Sequence, residues 1–181
     1  MAEKDRSGEH MSKIPGLTQL EATAEILRLL LEDVTEDETN WKPAPDRFSI
    51  AEVLEHLSHT EGHCFRGRVE DMVEQDNPAI GVYDQNTFHA AGQYSGRSAE
   101  DSFDHFEEQR EDNIEYLRNL PVGALARVGA HAEYGPITVA HLLNEWAFHD
   151  LGHVRQIAEI VRAQKYFPHM GPLAQEYKVN P

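Results

Sequence analysis

Apolar residues recur at three- and four-residue steps in four long stretches of this chain, and that period commits it to helices packed on one another. Leu17, Leu20, Ala24, Leu27, Leu31 and Val34 mark the first face. Ile50, Val53, Leu54, Leu57, Cys64, Phe65 and Met72 mark the second, and Phe103, Phe106, Ile114 and Leu117 the third. Val139, Leu142, Leu143, Trp146, Ile157, Ile160 and Val161 mark the fourth. No stretch alternates convincingly with the period of two that a strand needs. The expected fold is all-α, a four-helix bundle.

Local signals set the boundaries. Pro15-Gly16 precedes the first helix, and Pro43 and Pro45 break the chain after it. Ser49 to Glu52 spell a capping box, with Phe48 and Val53 placed as a hydrophobic staple. The second helix is expected to run from there to about Gln75, with Gly62 and Gly67 lowering its propensity. Residues 76–97 form a long connection that should cross the bundle and hold a short extra helix or a functional element. Ser98 with Asp101 opens the third helix, which Pro121 ends, and Thr138 caps a fourth running to about Ala163. Residues 1–14 read as a disordered leader, with Met11 as an alternative start, and 15–165 as one bundle domain. The apolar tail 166–181 is expected to pack on the bundle or on a dimer partner.

Composition narrows the class. The chain has 181 residues, 16 Lys+Arg against 32 Asp+Glu, and a net charge of −16. Such an excess of acid repels phosphate backbones and anionic lipid, so no nucleic-acid or membrane partner is expected. No window reaches the ~18 apolar residues of a membrane span, and Met1 to Ser12 lack the apolar core of a signal peptide. The single cysteine, Cys64, excludes an internal disulfide and suits a reducing compartment, so a cytoplasmic location is expected. Cys64 falls in an apolar stripe with no evident base beside it, which argues against a nucleophilic role. Trp41 and Trp146 read as packing residues.

The 11 histidines are more informative. At 100° per residue, His149, Asp150 and His153 fall inside the apolar stripe of the last helix, and His141 falls opposite. Two imidazoles at i and i+4 can both reach one metal ion, or each can be a core histidine bonded to a neighbour. Asp150 and Gln156 stand close enough in sequence to orient such ligands. His59 and His63 share the spacing but lie off their helix's stripe, so solvent is their expected surroundings. The glutamate of a His-Glu-x-x-His peptidase motif is missing. A third ligand could come from His56 or His63 on one flank of the second helix, or from Glu61 within its stripe. Glu61 could equally pair with Arg110, which lies in the stripe of the third helix and could alternatively bind an anionic substrate.

Phe48-Ser49-Ile50-Ala51-Glu52-Val53-Leu54-Glu55-His56-Leu57 and His149-Asp150-Leu151-Gly152-His153-Val154-Arg155-Gln156-Ile157 resemble the two signature helices of the DinB-like family of four-helix bundles. That superfamily includes the YfiT-like bacillithiol transferases. The resemblance covers about residues 15–165 and implies a three-histidine metal site at His56, His149 and His153. Gly152 departs from the many relatives that carry a further histidine there. The resemblance further implies a divalent metal, zinc first and nickel, iron or manganese as alternatives, with open positions for substrate. The expected activity is transfer of a low-molecular-weight thiol to a small electrophile, or an isomerisation using such a thiol. Glu61, Arg110 and Gln156 are the expected catalytic or cavity-lining residues, and a homodimer the expected assembly. The competing reading is a non-catalytic bundle that binds a metal or small ligand, or acts as a stress-associated interaction protein.

Overall fold

The computed structural model describes residues 14–83 and 97–180. The expected leader and the greater part of the 76–97 connection lie outside the described residues. Helix α1 (Leu17–Leu31) starts at Gly16, whose φ of 73° is left-handed. A Cβ on Gly16 would stand 2.7 Å from the Leu143 carbonyl oxygen, so only glycine lets the chain enter α1 this close to the last helix. A short helix α2 (Glu36–Asn40) follows, fixed by a capping box between Thr35 and Glu38. The charge run Glu32 to Glu38 masked it in the sequence, although the Thr-x-x-Glu signature was there to find.

The second long helix forms as expected, in three segments. Helix α3 (Ile50–Thr60) carries the Ser49/Glu52 capping box, a π-helical turn spans Glu61–Arg66, and α4 (Gly67–Glu74) completes it. The π turn buries Thr60, Glu61, Cys64 and Phe65 together. Gln109 braces it, donating from Nε2 to the Ser58 carbonyl at 2.9 Å. Gly62 makes room for that brace, since a Cβ there would come within 2.7 Å of Gln109 Oε1. Helix α5 (Ala99–Arg118) is capped by Ser98, and α6 (Val139–Val161) by a Thr138/His141 capping box. Helices α1 and α3 each pack on both α5 and α6, which closes the four-helix bundle.

The absence of strands is corrected. Strands β1 (Ala79–Ile80), β2 (Val128–His131) and β3 (Gly135–Thr138) form a small sheet, β1 parallel and β3 antiparallel to β2. Strands of two to four residues are too short to display alternation, and Gly129 and Pro136 dilute it further. The sheet still has a packing role. Gly129 lets it settle on the bundle, for its Cβ would meet Ile80 and Met72 at about 3 Å.

The tail turns through short helical segments along its own bundle. Just before it, Gln164 donates to the Glu38 carbonyl at 3.1 Å, and near its end the Asn180 N–H donates to Glu159 at 3.1 Å. These attachments are polar, and Tyr166, Leu173 and Tyr177 remain exposed. Among the described residues, no helix is long and apolar enough to cross a membrane.

The core has two apolar clusters. One gathers Leu20, Phe65, Met72, Leu117, Leu143 and Trp146, and the other Leu27, Leu54, Leu57, Phe106, Ile157 and Ile160. Each long helix changes cluster at a polar residue: Thr23 on α1, Glu61 after α3, Arg110 on α5, and His149 to His153 on α6. A polar layer therefore crosses the middle of the bundle.

Candidate metal centre

That layer contains two linked parts. In the first, Arg110 is 3 % exposed and grips Glu61, which is 1 % exposed. Its Nε and Nη2 donate to the two Glu61 oxygens at 2.5 and 2.7 Å. Its Nη1 donates to Asp150 Oδ2 at 2.7 Å and to the Leu20 carbonyl at 2.8 Å. Asn113 and the Trp146 indole add further donors to Glu61 at 3.1 and 3.2 Å. With four donors on its two oxygens, Glu61 has no lone pair left for another partner. Burial alone would lower the Arg110 pKa, but Glu61 and Asp150 outweigh it and hold it above its ordinary value. Burial likewise works against the Asp150 carboxylate, and Arg110 reverses that and keeps it ionised below the usual range.

In the second part, His56, His149 and His153 bring their Nε2 atoms to one point. His149 Nε2 lies 3.0 Å from His56 Nε2 and 3.2 Å from His153 Nε2. Burial and the rings of His153, His149 and His59 push His56 down to about 2, and burial and His149 push His153 down to about 4. Both rings are therefore neutral near pH 7. A nitrogen of a neutral imidazole offers either one proton or one lone pair. His149 Nε2 faces two such nitrogens and can satisfy only one. His153 Nδ1 meets Gln156 Oε1 at 3.0 Å, an acceptor, which puts the proton on Nδ1 and leaves Nε2 as a lone pair. The cluster is thus short of protons and rich in inward lone pairs.

A divalent ion suits that donor set. One ligand atom from each histidine lies within 4.8 Å of the others. Nitrogens held at 2.0–2.1 Å on a tetrahedral ion stand about 3.3 Å apart, close to the two separations seen. A second observation agrees. His149 Nδ1 and Asp150 Oδ1 are buried, lie 3.9 Å apart, and have no hydrogen-bond partner among the described residues. A small turn of the His149 ring would close the carboxylate–histidine contact that commonly backs a metal ligand.

The expected site residues thus fall into groups. His56, His149 and His153 converge, and Gln156 holds His153. Glu61 and Arg110 meet each other instead of the histidine nitrogens, and they reach the cluster only through Asp150. The helix stripes could not decide between Glu61 and His56, because both are 1 % exposed and lie only five residues apart on the same long helix. Asn113 and the Trp146 indole were missed as polar partners. An asparagine three residues beyond Arg110, on the same apolar face, was the available signal. His63 is exposed as expected. His59 corrects its expectation: it is half-buried, stacks on His63 at 5.2 Å, and has its pKa lowered by burial and by His63.

A pocket of about 190 Å³ opens beside His149, lined among others by Thr60, Cys64, Tyr83, His131 and Tyr134. Burial raises the Cys64 thiol to about 11, so it is an inert wall. His131 Nδ1 accepts from the backbone N–H groups of Glu133 and Tyr134 at 3.2 and 3.3 Å, so its Nε2 carries the proton. A larger groove of about 520 Å³ lies between α1 and α5. Glutamates dominate its wall, and none of the three histidines lines it.

A family model described as the DinB superfamily matches residues 19–157. Among solved structures, the chain is similar to YfiT from Bacillus subtilis, described as "a probable metal-dependent hydrolase with an unusual four-helix bundle topology". The two share 20 % identity with a TM-score of 0.73, over 90 % of this chain and 92 % of that one. At that identity the likeness is one of fold. No curated protein matches the chain.

Proposed function

This chain belongs to the DinB superfamily, and on that premise we propose that it is a metal-dependent enzyme acting on a small molecule at His56, His149 and His153. The observation that carries this reading is the meeting of three Nε2 atoms at 3.0 and 3.2 Å, with the His56 and His153 rings kept neutral by burial. The finer assignment is transfer of a low-molecular-weight thiol to a small electrophile, with zinc as the first metal to try. A divalent metal held by His56, His149 and His153 would supply Lewis acidity of the kind that makes a thiol or a water nucleophilic at neutral pH.

The protein's own residues do the rest. Gln156 fixes the His153 tautomer so that its lone pair points inward. Asp150, held ionised by Arg110, would accept the His149 Nδ1–H once that ring turns toward it. The Phe65 ring meets His149 edge-on at 5.1 Å and shields it from water. Glu61 and Arg110 act as positioning residues at one remove from the cluster. His131, which lines the adjacent pocket, is the residue we assign to steady a leaving group. Sulfur bonds the electrophilic carbon, the leaving group departs with its electron pair, and the thiol proton passes to solvent.

Hydrolysis is the second reading, favoured by the description of the Bacillus subtilis neighbour and by the same open metal chemistry. One assay separates the two. Zinc-loaded protein is mixed with monobromobimane or a chlorodinitrobenzene and a panel of thiols, and in parallel with ester and amide substrates. Thiol-dependent turnover that falls at least about 100-fold in His149→Ala supports transfer. Hydrolysis with the same dependence would replace it, and bound metal without turnover in either panel would contradict both enzymatic readings.

A further inference from the structure

In a chain with twice as much acid as base, cations are quickly claimed. Arg28, Arg66, Arg110, Arg118 and Arg162 all sit on carboxylates. Arg68 and Arg127 donate to backbone carbonyls. Arg47 and Arg155 differ: neither guanidinium has an ion pair or hydrogen bond among the described residues, and both residues line one pocket of about 460 Å³.

The remaining walls of that pocket are Gly152, Gln156, Glu159 and Asn180. Glu159 is the one carboxylate among them, and it is already engaged: Arg162 pairs with its Oε2 and the Asn180 N–H bonds its Oε1. Gln156 Oε1 is taken by His153 Nδ1, which leaves the amide Nε2 donors to spare. Gly152 adds no side chain, and a Cβ there would meet nothing within 4 Å. The pocket therefore presents two unpaired guanidinium groups and an amide donor beside a single carboxylate that already has Arg162 as its ion pair. An oxyanion answers that pattern, since a guanidinium fork matches a carboxylate or phosphate edge. The volume suits a small molecule. The location adds a reason: Gln156 is both a wall of this pocket and the residue that orients His153.

We propose that the Arg47–Arg155 pocket binds the carboxylate or phosphate group of the small molecule whose reactive end lies at His56, His149 and His153. This rests on the metal-centre reading for its reactive end, while the anion site itself can be tested without it. Such an arrangement selects anionic substrates by attraction at a point remote from the chemistry.

The test titrates succinate and inorganic phosphate, in low-chloride buffer, into zinc-loaded wild type, Arg47→Gln, Arg155→Gln, the double variant and His149→Ala, with binding followed by calorimetry or amide chemical shifts. Saturable binding of either probe is expected, weakened about tenfold by each single substitution and lost in the double variant. Preference between the probes identifies carboxylate or phosphate as the group recognised. Binding should persist in His149→Ala, and zinc content should be unchanged in the double variant. No saturable binding of either probe up to ~20 mM, or equal affinity in the double variant, would overturn the proposal. A wild type that takes up no zinc yet loses anion binding with the arginines would instead sink the metal-centre reading and leave this pocket standing.

Discussion

The chemistry of this bundle turns on what individual nitrogens and oxygens lack. His149 Nε2 has two suitors and one valence for them, while His149 Nδ1 and Asp150 Oδ1 stand 3.9 Å apart, too far for a hydrogen bond. An ion at the Nε2 side would draw the ring into place and give Asp150 its histidine. Asp150→Asn keeps the shape and removes the charge. Zinc affinity is expected to fall about 10- to 100-fold, measured by chelator competition, since partners behind a metal ligand carry effects of that size. Unchanged affinity would show that Asp150 serves only Arg110. His56 and His153 make the complementary point. Their depressed pKa values keep the lone pairs available well into the acid range, without help from a metal.

At the scale of elements, the Arg110 network ties the four long helices together at the point where the core changes from one apolar cluster to the other. Arg110 on α5 reaches the Leu20 carbonyl on α1, Glu61 in the π turn after α3, and Asp150 on α6. Removing the cation strands two buried carboxylates. Arg110→Met is therefore expected to lower stability by about 3–5 kcal/mol in urea denaturation, where a surface ion pair would cost less than about 1. A loss below about 1 kcal/mol would contradict the description. Much of this was legible beforehand. The period of each helix, the caps at Ser49, Ser98 and Thr138, and the inward placing of His149, Asp150, His153 and Arg110 all follow from residue spacing. Less was legible where local signals are short or where phase shifts. The π turn changes the helical register inside an unbroken run, and strands as short as Ala79–Ile80 carry no period at all. The choice of Arg110's partners needed three dimensions, because a stripe gives a direction but no distance.

For the molecule as a whole, burying neutral histidines sets a pH dependence. In the metal-free protein, His56 and His153 resist protonation until about 2 and about 4, whereas the unfolded chain protonates them near 6.5. Between about 6.5 and 4 the unfolded state thus binds more protons, and stability rises with pH. The contribution is complete above about 6.5 and drains away as pH falls, at up to about 1.4 kcal/mol per pH unit for each histidine. Urea midpoints of chelator-treated protein at pH 7.5, 6 and 5 should decline in that order, with a shallower slope in His153→Gln. A flat profile would mean that the two rings are not buried neutral. Against a net charge of −16, the guanidinium groups of Arg47 and Arg155, unpaired among the described residues, stand out.

The central claim is that three histidines from two helices hold one metal ion, and metal content per chain tests it most directly. Protein loaded with zinc, desalted and measured by mass spectrometry should carry one ion per chain. That ion should be lost on substituting His56, His149 or His153 with alanine and retained in His59→Ala and His63→Ala. Retention in His149→Ala, or loss confined to the His59 and His63 variants, would contradict the account.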